Sequence, residues 1–585
     1  MNSSMKIPNY VMRPSTVVKG YDDLITHGYK EITETIIRKF KLPKTVITID
    51  CSDGVYTDEI IEGLTGLNLQ LIIESKQIFY DTEVMNKMMQ RYVTDDRVFG
   101  IAYTGKWFDF VDPEKLAKAK KQVEDATGSV LIVGVGAGYI HSGDIKILAD
   151  MTIWELQMRY RRDGLDNFNA KNFSEETGKK FKRGYFVDWR LSTQRKGELL
   201  KTFQYYLDTV NRNDPRMITR TAFEQGLTQM LQQPFRTVPF FDEGLWGGHW
   251  MEKVLGVSDD SLENTAWGYN CLFPENEVNL TFGSTTINIP GYTVCQKYAK
   301  QLIGEKGYSR FGADYPIRFD FLDTMGGGNL SLQVHPDTKY YQENFGMPFT
   351  QDESYYFLDC EPENTYMYLG LTDDCNREDM ERDLKLAEKG KIVFPAEKYS
   401  NKIPVKKHEH YHIPAGIVHC SGENTMVLEI SSSPCIFTFK LWDWGRVGMD
   451  GFPRPINIDR GMEVIQWDKK KSWMEKECAF KPVPLESGNG WREERTGMQE
   501  YQFIETRRYW QSVTTFHKTN NETQVLNLIE GREALIESPT NQFEPYIMHF
   551  AESIIIPAQI SEYTITPCGE SAGKEIGFIK AYVRF

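Results

Sequence analysis

The stretch GGGNLSLQVHPDTKYY, which runs from Gly326 to Tyr341, decides how the second half of this chain folds. Its centre alternates polar and apolar residues until a Pro-Asp pair interrupts the pattern. If this centre is a β-strand, Gln333 and His335 point to the same face, because side chains alternate along a strand with a period of two. A glutamine and a histidine on one face are unusual for a buried core and ordinary for a metal site. The stretch therefore predicts a β-rich domain that carries metal ligands.

Further candidate ligands lie in the apolar segments that follow. Glu353 lies in QDESYYFLD, which reads as the next strand, and His419 lies in HIPAGIVHCSG after a Pro-Ala-Gly turn. Zinc accepts histidine, glutamate and sometimes an amide oxygen. With Gln333 and His335, these residues leave a position open for water or substrate, which is typical of a catalytic site. The alternative is structural, with His335 capping a turn and Glu353 on the surface.

The segment KHEHYH supplies three rival ligands, His408, His410 and His412. Their alternation places all three on one face of a strand. For these histidines we favour a solvated strand face over a metal site.

The sequence predicts three domains. Residues 1–228 contain apolar runs such as KTVITIDCSDG and SVLIVGVGAG between helical stretches, which predicts an α/β domain with a mainly parallel sheet. Residues 229–470 carry many short strands, such as TYMYLGL and TMVLEISS, which predicts an antiparallel barrel or jelly roll. The segment DDCNREDMERDLKLAEKGK predicts a helical insert in this domain. Residues 471–585 predict a C-terminal β-sandwich.

Composition excludes several classes of function. The 585 residues carry a formal net charge of -14, which argues against a general binder of nucleic acids or anionic membranes. The longest apolar stretch, SVLIVGVGAGYI, is too short to span a bilayer, and the first residues lack the apolar core of a secretion signal. Nine cysteines are scattered without CxxC spacing, which disfavours a disulfide framework. We therefore expect a cytoplasmic protein.

Five motifs follow one another in the second half of the chain: LSLQVHPD, ESYYFL, HIPAGIVH, LEISSS and TFKLWDWGRVGMDGFPR. Together they resemble the motifs of class I mannose-6-phosphate isomerases, which are zinc-dependent enzymes of the cupin fold. VPFFDEGLWGGHW and IIIPAQISEYTI extend the resemblance over residues 235–585. The resemblance implies a cupin domain with one zinc ion per chain, held by Gln333, His335, Glu353 and His419.

The family interconverts an aldose phosphate and a ketose phosphate through an enediol, so the resemblance implies an isomerase for mannose 6-phosphate and fructose 6-phosphate. Three positions depart from the family pattern. Asp320 and Gln351 each stand where the family usually has lysine. The catalytic arginine of the family falls at Lys440 when the motifs are anchored on WDWGR, whereas counting from Glu429 gives Phe439. A one-residue bulge or insertion is therefore implied, and a slip of one residue would move the side chain to the other face.

The loss of positive charge leaves two interpretations open. Either Arg318, Lys339 or Lys440 compensates, or the site takes a sugar with no phosphate or with its phosphate placed differently. Lys440 and Glu429 are the candidates for the proton carrier, and the alternative is that either merely supports its strand. The hypotheses are an isomerase for a phosphorylated hexose, an isomerase or epimerase for an unphosphorylated sugar, and a sugar-sensing protein without activity.

The first region resembles a nucleotide-binding scaffold only in part. KTVITIDCSDGVYTDEII has the strand, turn and helix of a phosphate-binding loop but lacks GxxxxGK[ST], and it carries Asp50, Asp53 and Asp58, whose carboxylates repel phosphate. ILADMTIWELQMRYRRDG and KRGYFVDWR are weakly similar to uridine-kinase-like proteins. This similarity implies a non-catalytic nucleotide-kinase-like domain with a nucleotide or another effector as partner. The alternative is a solvated helix whose charged residues lie on the surface: Arg159, Arg161, Arg162 and Asp163.

Overall fold

The structure is a computed structural model that describes residues 7–41, 43–432, 437–447, 454–497, 500 and 502–585. Parts of two quoted motifs, Ser433 of LEISSS and residues 448–453, lie outside the described residues. The chain divides into two compact units. We call Ser15–Met230 with Pro274–Tyr298 the α/β unit. The described residues up to Pro14, with Leu231–Phe273 and Ala299–Phe585, form the β unit. The division into domains at residues 228 and 470 stays a prediction.

The first half of the chain alternates strands and helices. Its strands are β1 Thr16–Val17, β2 Ile25–His27, β3 Val46–Cys51, β4 Leu71–Glu74, β5 Val130–Gly134, β6 Ile145–Asp150, β7 Tyr205–Asp208, β8 Arg216–Thr219, β9 Phe240–Asp242, β10 Trp267–Cys271, β11 Glu277–Phe282 and β12 Thr285–Pro290. Its helices are α1 Gly28–Ile37, α2 Thr57–Gly63, α3 Thr82–Val93, α4 Pro113–Asp125, α5 Ala137–Ile140, α6 Ile153–Arg162, α7 Thr177–Arg183, α8 Trp189–Leu199, α9 Arg220–Leu231 and α10 Gly291–Phe311. Short 3₁₀ segments lie at Asp22–Leu24, Thr65–Leu67, Ser75–Ile78 and Trp107–Phe110, and π segments at Gly184–Asp188 and Met251–Leu255.

The second half is mostly strands. They are β13 Ile317–Asp323, β14 Leu332–Val334, β15 Glu353–Cys360, β16 Tyr366–Leu371, β17 Ser400–Pro404, β18 His410–Ile413, β19 His419–Ser421, β20 Thr425–Ser432, β21 Phe439–Trp442, β22 Val483–Gly488, β23 Trp491–Arg495, β24 Ile504–Gln511, β25 Thr515–Lys518, β26 Gln524–Glu530, β27 Glu533–Glu537, β28 Tyr546–His549, β29 Ser553–Ile556, β30 Glu562–Pro567 and β31 Ile576–Val583. The helices are α11 Thr338–Phe345, α12 Arg377–Glu388, α13 Ala396–Tyr399, α14 Ile458–Val464 and α15 Lys471–Glu477, with a 3₁₀ turn at Gly569–Ser571.

The α/β unit is built on a seven-stranded sheet of order β2-β8-β7-β6-β3-β5-β4. The five strands from β7 to β4 run parallel, and β8 and β2 add two antiparallel pairings at one edge. The mainly parallel sheet predicted for this region is therefore present. On one face, Ile47 and Ile49 are fully buried in a cluster with residues of α1 and α2. The hairpin β11–β12, with β1 beside it, also belongs to this unit.

The β unit contains two pairs of antiparallel sheets. The first pair has the orders β18-β15-β20-β13-β10-β9 and β17-β16-β19-β14-β21. The second pair, β22-β23-β24-β31-β26-β29 and β25-β30-β27-β28, shares one apolar core to which both sheets contribute, so it forms the predicted C-terminal sandwich. The predicted helical insert is α12, whose first turn is capped by the Asn376 side chain. No helix in the described part of the chain is long and apolar enough to cross a membrane.

A buried ion pair ties the start of the β unit to its C-terminal sandwich. Arg236 and Glu552 are each only 1% exposed, and they are in direct contact. The Arg236 guanidinium also donates a hydrogen bond to the carbonyl oxygen of Val11, at 2.9 Å. Two charges at this depth are tolerated only because each neutralises the other.

We predict that Arg236→Met destabilises the chain by about 3–5 kcal/mol, because it removes the arginine that neutralises the buried Glu552 carboxylate. Urea unfolding would measure the loss. The double variant Arg236→Met with Glu552→Leu should recover most of the stability, since no unpaired charge remains. A single variant as stable as the parent chain would contradict this role of the pair.

Candidate metal centre

The strand β14 and the turn after it bring Gln333 and His335 to one place. His335 follows the last residue of β14 and is buried. The Pro-Asp pair that comes next ends the strand and starts α11, because the Asp337 side chain accepts a hydrogen bond from the backbone N–H of Tyr340 at 2.8 Å. Capping of a helix therefore explains the Pro-Asp pair, and His335 is left to point inward.

Three buried side chains from the two facing sheets converge. His335 and His419 come from the sheet that contains β14 and β19, and Glu353 opens β15 in the other sheet. One ligand-type atom of each residue lies within 4.8 Å of those of the other two. The Nε2 atom of His335 lies 3.2 Å from one carboxylate oxygen of Glu353, and the Nε2 atom of His419 lies 2.8 Å from the other. We call these three residues the His-Glu-His cluster.

The backbone fixes which nitrogen of each imidazole faces the cluster. Nδ1 of His419 lies 2.9 Å from the carbonyl oxygen of Ile417, and Nδ1 of His335 lies 3.3 Å from that of Phe437. A carbonyl oxygen accepts only from a protonated nitrogen, so Nδ1 carries a hydrogen in each ring, and Nε2 faces the cluster as a donor when the ring is charged and with its lone pair when the ring is neutral. Metal-ligating histidines are commonly oriented in this way.

Gln333 lies beside the cluster because it pairs directly with His419 across the two antiparallel strands. Its amide nitrogen lies 3.3 Å from Nε2 of His419, and its amide oxygen accepts from the Ser331 hydroxyl at 3.0 Å. A half-turn of the amide exchanges the two atoms and places the oxygen toward the cluster. The amide oxygen of Gln333 is therefore well placed to be a fourth ligand.

The electrostatics of the His-Glu-His cluster favour an ionised glutamate. Burial alone would raise the pKa of Glu353, but the facing imidazoles of His335 and His419 outweigh that effect and hold the pKa well below its usual range. Nε2 of His335 and one oxygen of Glu353 are buried without a hydrogen bond. A cation bound at the cluster would satisfy these buried atoms. Nitrogen and oxygen donors of this kind suit zinc.

A second group of charges lies beside the cluster on β13 and β20, where Asp320 and Glu429 are cross-strand neighbours. Arg318 donates to Asp320 at 2.9 Å and lies 3.6 Å from a Glu429 oxygen. Burial first, and then Asp320 and Glu353, raise the pKa of Glu429 well above its usual range, while Arg318 opposes them. The Glu429 carboxyl is therefore favoured in its protonated form.

Gln351 joins the two groups. Its amide nitrogen donates to Glu353 at 2.9 Å and to Glu429 at 3.2 Å. The sequence marks Gln351 only as a position that lacks an expected positive charge. Its contacts with both carboxylates depend on the pairing of β15 with β20, which no local sequence pattern reveals. The amide fixes one carboxylate of the cluster and a candidate proton carrier at once.

Lys440 lies on β21, and a bulge follows it at Leu441. The extra residue implied by the motif spacing falls between Glu429 and Lys440 and stays a prediction. Leu332 pairs with Trp442 whereas Gln333 pairs with Lys440, so β21 carries one extra residue at this point. Phe439 packs against aromatic rings of α11, and Lys440 shares the face of Gln333. Burial, and then Arg454, lower the pKa of Lys440 to about 8, while Asp443 opposes them. Within the described residues, no hydrogen bond or ion pair joins its amino group to the cluster.

The rival histidines do not join the cluster, but the expected solvated face is wrong for two of them. His410 and His412 are buried on β18. His410 contacts the hydroxyls of Thr496 and Ser354, each at 2.9 Å. Thr496 comes 86 positions later in the sequence, so the local pattern carries no sign that this face is buried. His408 precedes the strand and adopts a positive φ of 71°.

The predicted charged surface of the first region is also wrong in part. Arg159 is buried, and its guanidinium donates to the carbonyl oxygens of Gly54 and Thr209 at 2.8 and 2.7 Å. Arg162, by contrast, is exposed and pairs with Asp163 at 2.9 Å. Asp53 is buried as well, and its burial is the main cause that raises its pKa. These contacts brace the loop after β3.

The fold and the cluster therefore define a class of site, a buried centre of two histidines and one glutamate between two antiparallel sheets. Comparison with known proteins finds relatives for part of the chain. Over 241 residues the chain is 24% identical to a probable mannose-6-phosphate isomerase of Bacillus subtilis, covering 40% of this chain and 69% of that protein. It is 22% identical over 239 residues to a mannose-6-phosphate isomerase of the same organism, with the same coverage. This part of the chain is homologous to mannose-6-phosphate isomerases.

Solved structures and one family model complete the comparison. The crystal structure of the mannose 6-phosphate isomerase from Bacillus subtilis aligns with a TM-score of 0.47 and 20% identity, covering 60% of this chain and 99% of that one. A variant of phosphomannose isomerase from Salmonella typhimurium aligns with a TM-score of 0.45 and 14% identity, covering 60% and 99%. Residues 28–232 match the model of a domain of unknown function, DUF8485.

The buried histidines give a testable pH dependence. Burial is the main cause that lowers the pKa of His412 from 6.5 to about 4. Between these values the unfolded chain binds more protons than the folded one, so stability falls as the pH falls through this window. We predict that this residue accounts for up to about 3 kcal/mol of the loss between pH 6.5 and 4.

Urea unfolding at several pH values would measure this dependence. The variant His412→Gln should show a flatter dependence than the parent chain, whereas His141→Gln, which changes an exposed side chain, should leave it as it is. Equal slopes for the parent chain and His412→Gln would contradict the assignment.

Proposed function

We propose that this chain is a zinc-dependent aldose–ketose isomerase, with mannose 6-phosphate and fructose 6-phosphate as the first pair to test. The observation that carries the proposal is the convergence of two buried imidazoles and one buried carboxylate, with both Nε2 atoms turned inward by backbone carbonyls. Homology of this part of the chain to mannose-6-phosphate isomerases supports the same reaction.

The proposed ligands are His335, Glu353 and His419, with Gln333 as a fourth through its amide oxygen. Zinc sites that do chemistry keep a position for water or substrate besides their protein ligands, and this set leaves such a position. When bound, the metal polarises substrate oxygens and stabilises negative charge that develops on them. One zinc ion per chain is proposed.

Glu429 is the proposed proton carrier. Aldose–ketose isomerisation moves a proton between two adjacent carbons, so it needs a group that takes the proton from one carbon and returns it to the other. Burial raises the pKa of Glu429, which makes its carboxylate a stronger base than an exposed one. Gln351 holds this carboxyl group at a fixed distance from Glu353. Lys440 remains the second candidate, since it shares the face of Gln333.

A second candidate function is the same reaction, or an epimerisation, on a sugar without a phosphate group. The observation that favours it is the acidic wall formed by Asp320 and Glu429, where Arg318 is already engaged by both carboxylates. Arg318 is not available to a phosphate dianion because Asp320 already neutralises it, whereas the carboxyl groups of this wall form hydrogen bonds with sugar hydroxyls. A sugar-sensing protein without turnover is the third alternative.

We predict that His335→Ala abolishes bound zinc and isomerase activity together, because it removes one nitrogen ligand and its orienting contact. Metal content measured by elemental analysis should fall from one zinc per chain to none, and ketose formation from mannose 6-phosphate should be lost. The control is His249→Ala, which removes a half-exposed histidine paired with Glu252. Turnover that survives after the zinc is gone would refute the proposed role of the cluster.

The phosphate group is tested at Lys440. We predict that Lys440→Ala raises the KM for mannose 6-phosphate about tenfold or more and leaves the KM for mannose nearly unchanged, because a charge-assisted contact to phosphate is lost. The control is Lys339→Ala, an exposed lysine whose nearest carboxylate is Glu343 at 3.9 Å. Equal effects on both sugars would tell against phosphate recognition by Lys440 and favour the unphosphorylated substrate.

A further inference from the structure

One face of the parallel sheet in the α/β unit is unexpectedly polar. Strands β3 and β6 are neighbours in the middle of the sheet, and Thr48 pairs with Lys146. The face opposite the apolar cluster carries Thr48, Asp50, Lys146 and Leu148, which alternate with the buried residues of the other face. Parallel sheets covered on both sides are usually apolar on both faces. The polar face therefore calls for a functional explanation.

A cavity of about 290 Å³ lies against this polar face. The sheet residues Thr48, Asp50 and Lys146 form one wall, and Arg195 and Glu198 of α8 form the opposite one. Ser142, from the loop after α5, lines it as well. The volume is near the lower end for small-molecule sites, so it holds a small metabolite.

The carboxylates of this cavity are already satisfied by the protein. Asp50 accepts from the backbone N–H groups of Gly136 and Gly138 at 3.0 and 2.9 Å, and from Arg195 at 2.6 Å. Glu198 accepts from Gln194 at 2.9 Å and from Arg195 at 3.0 Å. The carboxylates of the cavity are thus already engaged and do not favour a ligand that offers hydrogen-bond donors or positive charge.

The ammonium group of Lys146 can still donate hydrogen bonds to a ligand. Lys146 is half-buried and lines the cavity, and within the described residues its ammonium group has no hydrogen bond and no ion pair. An ammonium group carries three N–H donors and no acceptor. The exposed hydroxyl of Ser142 lies on the same cavity. The ammonium group of Lys146, beside a hydroxyl that can also donate, therefore favours an anionic acceptor.

We propose that this cavity is a binding site for a small metabolite that carries one compact oxyanion, phosphoryl or carboxylate, which pairs with Lys146. The Asp50–Arg195–Glu198 network forms the rigid wall and holds α8 against the sheet. The site lies within the α/β unit and does not depend on the proposed isomerase activity. Charge pairing with a half-buried lysine gives recognition of the anion, and the small volume excludes a whole nucleotide.

The test is a titration of the full chain with inorganic phosphate, acetate and glycerol at one ionic strength, followed by ligand-detected nuclear magnetic resonance. We expect saturable binding of phosphate, of acetate or of both, and none of glycerol; the stronger anion shows whether the group is phosphoryl or carboxylate. Lys146→Met should weaken that binding about tenfold or more, since a charge-assisted contact is lost. Lys146→Arg should retain it.

Two further variants separate this site from unspecific effects. Lys118→Met removes an exposed lysine of α4 and should leave binding unchanged. Thr202→Trp places a large side chain at an exposed position on the cavity wall and should prevent binding while the chain stays folded. Binding that is equal in the parent chain and in Lys146→Met, or no saturable binding of either anion, would overturn the proposal. Loss of anion binding in His335→Ala would instead place the anion at the His-Glu-His cluster.

Discussion

The direct pairing of Gln333 with His419 across β14 and β19 is the constraint on which the candidate metal centre depends. Paired residues of antiparallel strands share a face, so this register brings both side chains into the space between the sheets. A slip of one residue would turn both toward the opposite face. The bulge on β21 serves the same register, because it lets Lys440 rather than Leu441 pair with Gln333.

Buried charge is the second constraint. Glu353, Asp320 and Glu429 lie in one interior, where Arg318 contacts Asp320 and Glu429. An unpaired carboxylate at this depth costs several kcal/mol, so the arrangement needs added positive charge or protons. The imidazoles alone supply it only when protonated, whereas a divalent cation supplies it with Nε2 of His335 and His419 unprotonated. A bound divalent cation would therefore stabilise the buried carboxylates and also supply the proposed chemistry.

Local patterns predict much of the fold and site, and long-range pairing decides the rest. Alternation along β14 and the motif spacing predict the His-Glu-His cluster, and helix periodicity predicts α12. The hairpin β11–β12 was expected in the second domain, yet β1, far earlier in the chain, pairs with it. The burial of His410 depends on Thr496, and Gln351 bridges two carboxylates through sheet register. No local pattern encodes these contacts.

The most direct test of the central claim is the visible absorption spectrum of the chain loaded with cobalt(II) in place of zinc. A cobalt ion held by two imidazoles and oxygen donors absorbs more strongly and at other wavelengths than cobalt in buffer. We predict such a spectrum at one ion per chain, with a further change when mannose 6-phosphate or mannose is added. A spectrum that matches aqueous cobalt and does not respond to either sugar would contradict a metal centre at His335, Glu353 and His419.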